Sequence, residues 1–264
     1  MAATHTALIT GASSGIGEAL ARCFAADGHA LVLVARSVAK LEALAKELAA
    51  THGVKVVVQG ADLAQPDAAK TLASALKRRR IAVDVLVNNA GVLAQGAFAE
   101  MAAQRHQEMI ALNVAGLTAM LAQFVPPMRE RGFGRVLNVA SIAAFQPVPT
   151  LATYAATKAY VLSLTESLAE ELKGSGVTIS ALCPGITATS MLSAAAAENG
   201  QLGKLPGFLV GDVNEVAAAG YKACMNGEVI RVPGVVNLAA MLAARATPKW
   251  LLRRVSGTVT RKTL

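Results

Sequence analysis

The stretch that decides the fold is Thr10-Gly11-Ala12-Ser13-Ser14-Gly15-Ile16-Gly17. It follows an apolar strand at residues 7–10 and opens a segment whose apolar side chains recur at helical spacing. Gly11 permits a tight turn, Gly15 lets the backbone approach a pyrophosphate, and Gly17 allows the helix to pack closely. The amino end of that helix offers free N–H groups and a positive dipole to phosphate. Placed between a strand and an amphipathic helix, the turn predicts a dinucleotide site more strongly than an ordinary strand–helix loop.

Strands and helices alternate along the rest of the chain. Apolar runs predict six further strands, at residues 30–35, 54–58, 83–87, 135–140, 177–182 and 228–232. The helices predicted between them include a long one at about residues 102–125, closed by Pro126-Pro127, and one at about residues 152–173. Such alternation implies parallel strands joined by right-handed crossovers. We therefore expect an α/β fold, a Rossmann-type doubly wound parallel sheet of about seven strands with helices on both faces, in one domain spanning residues 1–264.

Composition excludes several classes of protein. Hydrophobic residues make up 54% of the 264 residues and charged residues 16%, which predicts a large core and excludes intrinsic disorder. The longest uncharged run, residues 177–197, is interrupted by a Cys183-Pro184-Gly185 turn, so we expect no membrane span. The first residues lead almost directly into a strand, which argues against a secretory signal.

Cysteine and histidine usage favours a reducing compartment and no metal. Cys23, Cys183 and Cys224 lie among apolar neighbours, as small buried residues do, so we expect a cytoplasmic protein without disulfides. The four histidines are scattered along the chain at His5, His29, His52 and His106. We expect surface or packing roles for them and no metal site.

The net charge is +8, and part of the positive charge lies in two basic clusters. Lys77-Arg78-Arg79-Arg80 ends a predicted helix, where cations suit the negative pole of the dipole. The second cluster consists of Lys249, Arg253, Arg254, Arg261 and Lys262. Nucleic-acid binding is one interpretation, but no aromatic platform or recognition motif accompanies the charge. A solvated basic surface that also helps to hold an anionic cofactor is the better interpretation, and we expect no nucleic-acid partner.

The spacing of the glycine turn is GxxxGxG and not the GxGxxG of the commonest dinucleotide fingerprint. Four further motifs follow it in order along the chain: Asn88-Asn89-Ala90-Gly91, Ser141, Tyr154-x-x-x-Lys158 and Pro184-Gly185. In this set and order the chain resembles the short-chain dehydrogenase/reductase family, from Thr6 to about Val232.

Tyr154 and Lys158 are four residues apart, so a helix projects both side chains from one face. Alone, such a pair is more typical of a surface helix. A nearby ammonium and a charged nicotinamide would favour the phenolate of a tyrosine whose ordinary pKa is about 10. The resemblance implies that Tyr154 donates and accepts the proton, Ser141 polarises the substrate oxygen, and Asn113 holds a water that links Lys158 to solvent. A helix kink is the alternative role for Asn113.

The cofactor type is indicated by Ala35-Arg36-Ser37, which ends the second strand without a carboxylate to bind a ribose 2′-hydroxyl. A guanidinium there suits a 2′-phosphate, and Ser13 could add a hydroxyl contact, so we expect NADP(H). The alternative is that Arg36 is only a surface cation. The turn and the resemblance together predict these cofactor contacts: Gly11, Ser13, Ser14, Gly15, Ile16, Gly17, Arg36, Asp62, Leu63, Asn89, Ala90, Gly91, Tyr154, Lys158, Pro184, Gly185, Ile186, Thr187 and Thr189.

The expected activity is NADP(H)-dependent, reversible hydride transfer to or from a carbonyl or secondary alcohol of a hydrophobic small molecule. A cofactor sensor or scaffold without catalysis is the alternative, although it would need no tyrosine proton donor. Residues 186–212 are apolar and glycine-rich, which favours a mobile substrate lid over a static loop. The basic, apolar extension at residues 233–264 favours packing on a partner subunit or the core, and the alternative is weak contact with an anionic membrane surface. Related enzymes imply a homodimer or homotetramer.

Overall fold

A computed structural model describes residues 5–188, 210–248, 250–254 and 257 of the chain. One sheet of seven parallel strands forms its centre, in the order β3-β2-β1-β4-β5-β6-β7. The strands are β1 (Thr6–Thr10), β2 (Ala30–Ala35), β3 (Val56–Gly60), β4 (Val85–Asn88), β5 (Gly134–Val139), β6 (Val177–Leu182) and β7 (Ile230–Arg231). The order reverses between β1 and β4, which is the doubly wound arrangement that the alternation predicts. The predicted fold is confirmed.

Helices cover both faces of the sheet. Within the described residues they are α1 (Gly15–Ala26), α2 (Val38–His52), α3 (Ala68–Arg78), α4 (Ala103–Ile110), α5 (Leu117–Glu130), α6 (Ala152–Glu171), α7 (Val213–Asn226) and α8 (Val235–Ala246). A π-helical turn (Ala111–Gly116) joins α4 to α5, and a 3₁₀ turn (Ile142–Phe145) follows β5.

Alternate residues of each strand enter two separate cores. Leu8 of β1 belongs to the core that contains α3, α5 and α6 residues, including Leu76 and Phe124. Ile9 belongs to the opposite core, with α1, α2 and α7 residues such as Phe24 and Leu41. Both faces of the central strands are therefore buried, which accounts for their continuous apolar sequences.

Three strands, β3, β4 and β7, begin two residues later than predicted. β3 begins at Val56 and not at residue 54, because Val56–Gly60 is the part that pairs with residues 31–35 of β2. Val83 is buried but precedes β4, so its apolar side chain packs without joining the sheet. β7 is an edge strand of only two residues, since only Ala181 and Leu182 pair with it.

The prediction that Pro126-Pro127 would close the long helix is wrong. Both prolines lie inside α5, which continues to Glu130. Proline removes the N–H that would bond to the carbonyl four residues earlier, here those of Ala122 and Gln123. Both of these residues lie on the exposed side of the helix, where water can bind the carbonyls. The helix therefore continues through the prolines.

The continuous helical segment Ala103–Glu130 is long and apolar enough to cross a membrane, judged by length and composition alone. The sequence predicts a long helix here but no membrane span. A buried core helix meets the same criterion, so the finding is weak evidence for a span. Leu117, Leu121 and Phe124 of this helix pack into the core beside the sheet, which gives its apolar composition a structural explanation.

Candidate active site

A cleft of about 590 Å³ opens at the carboxyl ends of the strands, over the point where the strand order reverses. Its lining contains most of the predicted cofactor and proton-transfer residues, from the glycine turn to Thr187. Three predicted residues are not part of this lining. Gly17 and Asn113 lie behind it, and Thr189 lies outside the described residues.

The glycine turn has the conformation that its sequence predicts. Gly11 and Gly15 have φ values of 65° and 59°, in the region that disfavours side chains. A Cβ on Gly11 would lie 2.8 Å from Nδ2 of Asn89, and one on Gly17 would overlap the main-chain oxygen of Gly11. The turn thus packs against Asn89 and leaves its other side open to the cleft.

Thr10 and Asn89 hold the turn in place. The Thr10 hydroxyl donates to the carbonyl of Val87 at 3.1 Å and accepts from the N–H groups of Asn89 and Ala90 at 2.9 and 3.0 Å. Nδ2 of Asn89 donates to the carbonyls of Thr10 and Gly11 at 2.9 and 3.3 Å. Asn89, predicted as a cofactor contact, therefore also fixes the shape of the turn. The sequence analysis missed Thr10, whose only signal is a hydroxyl at the end of an apolar strand.

Ser141 follows β5 and begins the 3₁₀ turn, where its Oγ accepts from the N–H of Ala143 at 3.1 Å. Tyr154 lies in the first turn of α6 and Lys158 one turn further on, as their spacing predicts. Nζ of Lys158 is 5.8 Å from the centre of the Tyr154 ring. All three side chains line the cleft. The structure therefore brings Ser141, Tyr154 and Lys158 together.

Lys158 is 6% exposed, and its Nζ donates to the carbonyl of Val139 at 2.8 Å. Burial lowers the pKa of this ammonium to about 8. Burial raises the pKa of Tyr154, and a hydrogen bond with Ser141 acts against that rise. The lowered Tyr154 pKa expected from the sequence includes the charge of a bound nicotinamide, whereas the protein's own groups alone raise this pKa.

Asn113 lies in the π-helical turn and is 1% exposed. Its Oδ1 accepts from the N–H of Val92, and its Nδ2 donates to the carbonyl of Val92, both at 2.9 Å. Nδ2 also donates to Oγ1 of Thr157 at 3.2 Å. Asn113 thus ties a distorted helical turn to the segment after β4 and to α6. This clamp was not predicted, and the water relay stays a prediction.

A second buried polar chain supports α6. Nδ2 of Asn88 donates to Oδ1 of Asn138 at 3.0 Å, and Nδ2 of Asn138 donates to the Thr165 hydroxyl at 2.9 Å. The Thr165 hydroxyl donates in turn to the carbonyl of Val161 at 2.7 Å. Hydrogen bonds in a buried environment fix relative positions strongly. The ends of β4 and β5 are therefore joined to the helix that carries Tyr154.

Arg36 lies at the other end of the cleft, in an exposed position after β2. Its guanidinium makes no hydrogen bond or ion pair with any residue that the structure describes. Asp62, across the cleft, accepts from the N–H of Ala64 at 3.2 Å and from Nε2 of Gln65 at 3.3 Å. The end of β2 therefore presents a cation without a carboxylate beside it, as the sequence predicts.

No group of three histidine, cysteine, aspartate or glutamate side chains comes together among the described residues in a way that could hold a metal ion. Cys183 and Cys224 are buried, Cys23 is partly buried, and all three are free thiols. Burial raises the pKa of the Cys183 thiol to about 12, so it is an uncharged neighbour of Lys158 at neutral pH.

Comparisons with known proteins agree with this architecture. A family model described as short chain dehydrogenase matches residues 5–200. Oxidoreductase UcpA of Escherichia coli (strain K12) is 36% identical over 195 residues, which cover 74% of this chain and 73% of that protein. A short-chain dehydrogenase from Sphingobium yanoikuyae in complex with NADPH superposes with a TM-score of 0.81 at 35% identity, covering 91% of this chain and 93% of that one.

A second solved structure, a short chain dehydrogenase/reductase from Burkholderia phymatum in complex with NAD, gives a TM-score of 0.81 at 28% identity and covers 90% of this chain and 92% of that one. The chain belongs to the short-chain dehydrogenase/reductase family and is an oxidoreductase of that family. The predicted resemblance is thus confirmed. Because one of these two structures holds NADPH and the other NAD, likeness alone does not choose the cofactor.

Proposed function

We propose that the protein is an NADP(H)-dependent oxidoreductase that moves hydride reversibly between the cofactor and a carbonyl or secondary alcohol of a hydrophobic small molecule. The observation that carries the proposal is the meeting of Ser141, Tyr154 and Lys158 in one cleft at the strand ends. A buried lysine one helical turn from a tyrosine has a desolvation cost that a purely structural role does not explain.

The cleft fits a dinucleotide. The positive φ of Gly11 and Gly15 and the close packing of Gly17 bring the backbone of the turn against the space at the start of α1. The first N–H groups of α1 are available to a pyrophosphate there. Gly91 also lines the cleft, and a Cβ there would lie 3.2 Å from Oδ1 of Asn113, a tight contact.

Arg36 supports the choice of NADP(H). An exposed guanidinium without a partner among the described residues can donate two parallel hydrogen bonds to a 2′-phosphate. Ser13 lines the same part of the cleft and adds a hydroxyl. A carboxylate in place of Arg36 would instead bind the 2′-hydroxyl of NAD.

A bound nicotinamide supplies or accepts the hydride. Tyr154 gives a proton to the substrate oxygen during reduction and takes it back during oxidation. Ser141 donates a hydrogen bond to the same oxygen, which stabilises the negative charge that develops on it. Lys158 binds the nicotinamide ribose, and its ammonium form favours the Tyr154 phenolate. Asn113 holds a water through which Lys158 exchanges protons with solvent.

We assign the remaining cofactor contacts to residues that line the cleft. Asp62 and Leu63 would meet the adenine, and Asn89, Ala90 and Gly91 would line the ribose and phosphate channel. Pro184, Gly185 and Ile186, with Thr187 or Thr189, would bind the nicotinamide carboxamide. The Thr187 hydroxyl donates to the carbonyl of Gly185 at 3.1 Å, which leaves its lone pairs able to accept from an amide.

The substrate end of the cleft is apolar. Side chains that line it around Ser141 and Tyr154 include Leu93, Ile142, Val148 and Leu151. Such a surface favours a hydrophobic substrate over a sugar, because hydroxyl groups buried there would lack partners. The proposed lid at residues 186–212 lies mostly outside the described residues. We propose that this segment closes over the bound substrate and that the chain forms a single domain.

Self-association is part of the proposal. The outer side of the segment Ala103–Glu130 exposes Ile110, which is 40% accessible, and α6 exposes Tyr160, whose hydroxyl is 2.9 Å from that of Thr118. These two helices would form the interface of a homodimer or homotetramer, by analogy with related enzymes. Sedimentation velocity of the wild-type protein measures this directly.

The test of the proposed function is NADPH consumption against a panel of carbonyl compounds graded in size and polarity. We expect turnover with apolar ketones or aldehydes and little with sugars. Ser141→Ala should lower kcat by about 100-fold or more, and Ser167→Ala on the outer side of α6 is the matched control. Absence of turnover with every class of carbonyl, or an equal loss in both serine variants, would contradict the proposal.

A further inference from the structure

The positive charge of the protein is concentrated after Glu228. Seven lysine or arginine residues and no aspartate or glutamate follow that position, although the whole chain has a net charge of only +8. The net charge of the residues before Glu228 is therefore close to zero. The segment contains α8 and the helical turn at residues 250–254.

The same segment exposes large apolar side chains. On α8, Val235, Leu238 and Leu242 form one stripe at helical spacing and are 83%, 42% and 56% accessible. Trp250 and Leu251 in the following turn are 54% and 39% accessible. On the opposite side of α8, Asn237, Met241 and Ala244 face the protein. Only one side of this helix is packed.

The exposed surface lies beside the cleft. Arg245 of α8 is 3.2 Å from the carboxylate of Glu166 and lies over the ring of Phe145, 5.2 Å from its centre. Phe145 belongs to the 3₁₀ turn that Ser141 begins. A Cβ on Gly185, which lines the cleft, would overlap the side chain of Asn237. The helix is therefore anchored to two parts of the active-site wall.

We propose that α8 and the turn at residues 250–254 dock the protein on an anionic lipid surface. Exposed leucine and valine would enter the interfacial region, and Trp250 suits the boundary between acyl chains and headgroups. Arg253 and Arg254 would bind lipid phosphates, and Arg254 already lies 5.6 Å from the centre of the Trp250 ring. Apolar exposure and a one-sided positive charge are the two features that such a surface requires.

Charge and apolar exposure together favour a lipid surface over two other binding partners of α8, a second copy of the chain and a nucleic acid. An isologous contact between two copies would bring two basic segments together, and like charges repel. A nucleic acid would satisfy the arginines but would leave the apolar stripe of α8 uncovered. An anionic lipid surface satisfies both. Given the proposed function, docking would also place the cleft next to the phase in which a hydrophobic carbonyl compound dissolves.

The test is co-sedimentation of the full chain with phosphatidylcholine vesicles, with and without about 30% phosphatidylglycerol. We expect binding only to the anionic vesicles, weakened by salt. Replacing Arg253 and Arg254 with glutamine should lower the partition coefficient by about tenfold or more. The charge-matched control, Arg78→Gln with Arg79→Gln, alters the far end of α3 and should change it less than twofold.

Leu242→Ser should also weaken vesicle binding, whereas Val38→Ser, at a comparably exposed apolar position on α2, should not. Thermal unfolding checks that each variant folds. The proposal is overturned by absence of binding to anionic vesicles, or by equal losses in both arginine pairs. It is also overturned if the only effect of Leu242→Ser is to dissociate an oligomer. Tighter binding of duplex DNA than of anionic vesicles, unaffected by Leu242→Ser, would likewise overturn it. Tyr154→Phe should bind vesicles like the wild type, which separates this test from that of the proposed function.

Discussion

Lys158 donates a hydrogen bond from its buried Nζ to the main-chain oxygen of Val139, at 2.8 Å. Val139 is the last residue of β5, and Ser141 follows two positions later. The hydrogen bond therefore joins the helix that carries Tyr154 to the strand that leads into Ser141. The ammonium is desolvated in this position, and its pKa is lowered from 10.5 to about 8.

The lowered pKa of Lys158 predicts how stability depends on pH. The folded, cofactor-free protein releases this proton near pH 8, whereas the unfolded chain keeps it until about pH 10.5. The burial cost is therefore fully present below pH 8, and it is relieved as the pH rises toward 10.5. The difference corresponds to at most about 3 kcal/mol. Burial also raises the pKa values of the two nearby titratable groups, that of Cys183 to about 12 and that of Tyr154 above its ordinary value.

Lys158→Met removes the buried ammonium. We expect the unfolding free energy of this variant minus that of the wild type, both measured in urea, to be larger at pH 7 than at pH 10. Taking the difference between the two proteins cancels the other titrating groups. Lys46→Met, which removes an exposed ammonium from α2, should show the same difference at both pH values. A Lys158→Met difference that does not change with pH would contradict the assignment of a pKa of about 8 to the buried amine.

Arg36 should determine the cofactor preference. Arg36→Ala removes two hydrogen bonds to a charged group, and we expect kcat/KM with NADPH to fall by about 10- to 100-fold. The value with NADH should change little, because NADH has no 2′-phosphate. Arg22→Ala, on α1 near the same end of the molecule, is a control that removes a guanidinium paired with Glu18 and Glu47. Equal losses of kcat/KM with NADPH and NADH, or an unchanged preference for NADPH in Arg36→Ala, would refute the role of Arg36.

Asn113 has two separable roles, a structural clamp and a proposed water relay. Asn113→Ala leaves the N–H and carbonyl of Val92 without their side-chain partners, so we expect a loss of about 2–4 kcal/mol in unfolding free energy. Thr157→Val removes one hydrogen bond of the same clamp without touching Val92, together with the bond from the Thr157 hydroxyl to the carbonyl of Tyr154. If Asn113 also serves the relay, its variant lowers kcat more than Thr157→Val does when both are compared at a temperature where each is folded. Equal effects on kcat would assign Asn113 to the clamp alone.

Thr150 has a φ of 66°, which is rare for a β-branched residue, and it lies four positions before Tyr154. Its carbonyl accepts from the N–H of Gly96 at 2.9 Å, which holds the strained turn against the segment after β4. Glycine adopts this conformation without steric cost, so Thr150→Gly should be as stable as the wild type or more stable by up to about 1 kcal/mol. Thr153→Gly, inside α6, should lose about 1 kcal/mol. Strong destabilisation by Thr150→Gly, seen in thermal unfolding, would show that the threonine side chain outweighs the strain.

The sequence predicted the parts of the molecule that depend on local patterns. Continuous apolar runs predicted the strands of the sheet. Gly11, Ser141 and Tyr154 lie after or beside those strands in the sequence, which predicted that they meet at one edge of the sheet. The structure departs from prediction where solvent exposure or distant contacts decide. Pro126 and Pro127 do not end α5, and the two carbonyls that lose a partner belong to exposed residues, where water can bind them.

Side-chain networks across the fold could not be predicted in this way. The bonds of Thr10 to residues 87, 89 and 90, and of Asn113 to residues 92 and 157, join segments that are far apart in the sequence. No periodic pattern marks them. The pKa shifts of Tyr154 and Lys158 likewise depend on burial by many neighbours, which is a property of the folded protein.

The central claim is that the Tyr154 hydroxyl transfers the proton to and from the substrate. Tyr154→Phe removes this oxygen and preserves the ring beside Lys158, and its direct measurement is kcat for NADPH-dependent carbonyl reduction together with NADPH affinity by fluorescence titration. We expect kcat to fall by about 100-fold or more, while the dissociation constant for NADPH changes less than threefold. Substantial turnover by Tyr154→Phe with intact NADPH binding would contradict the claim.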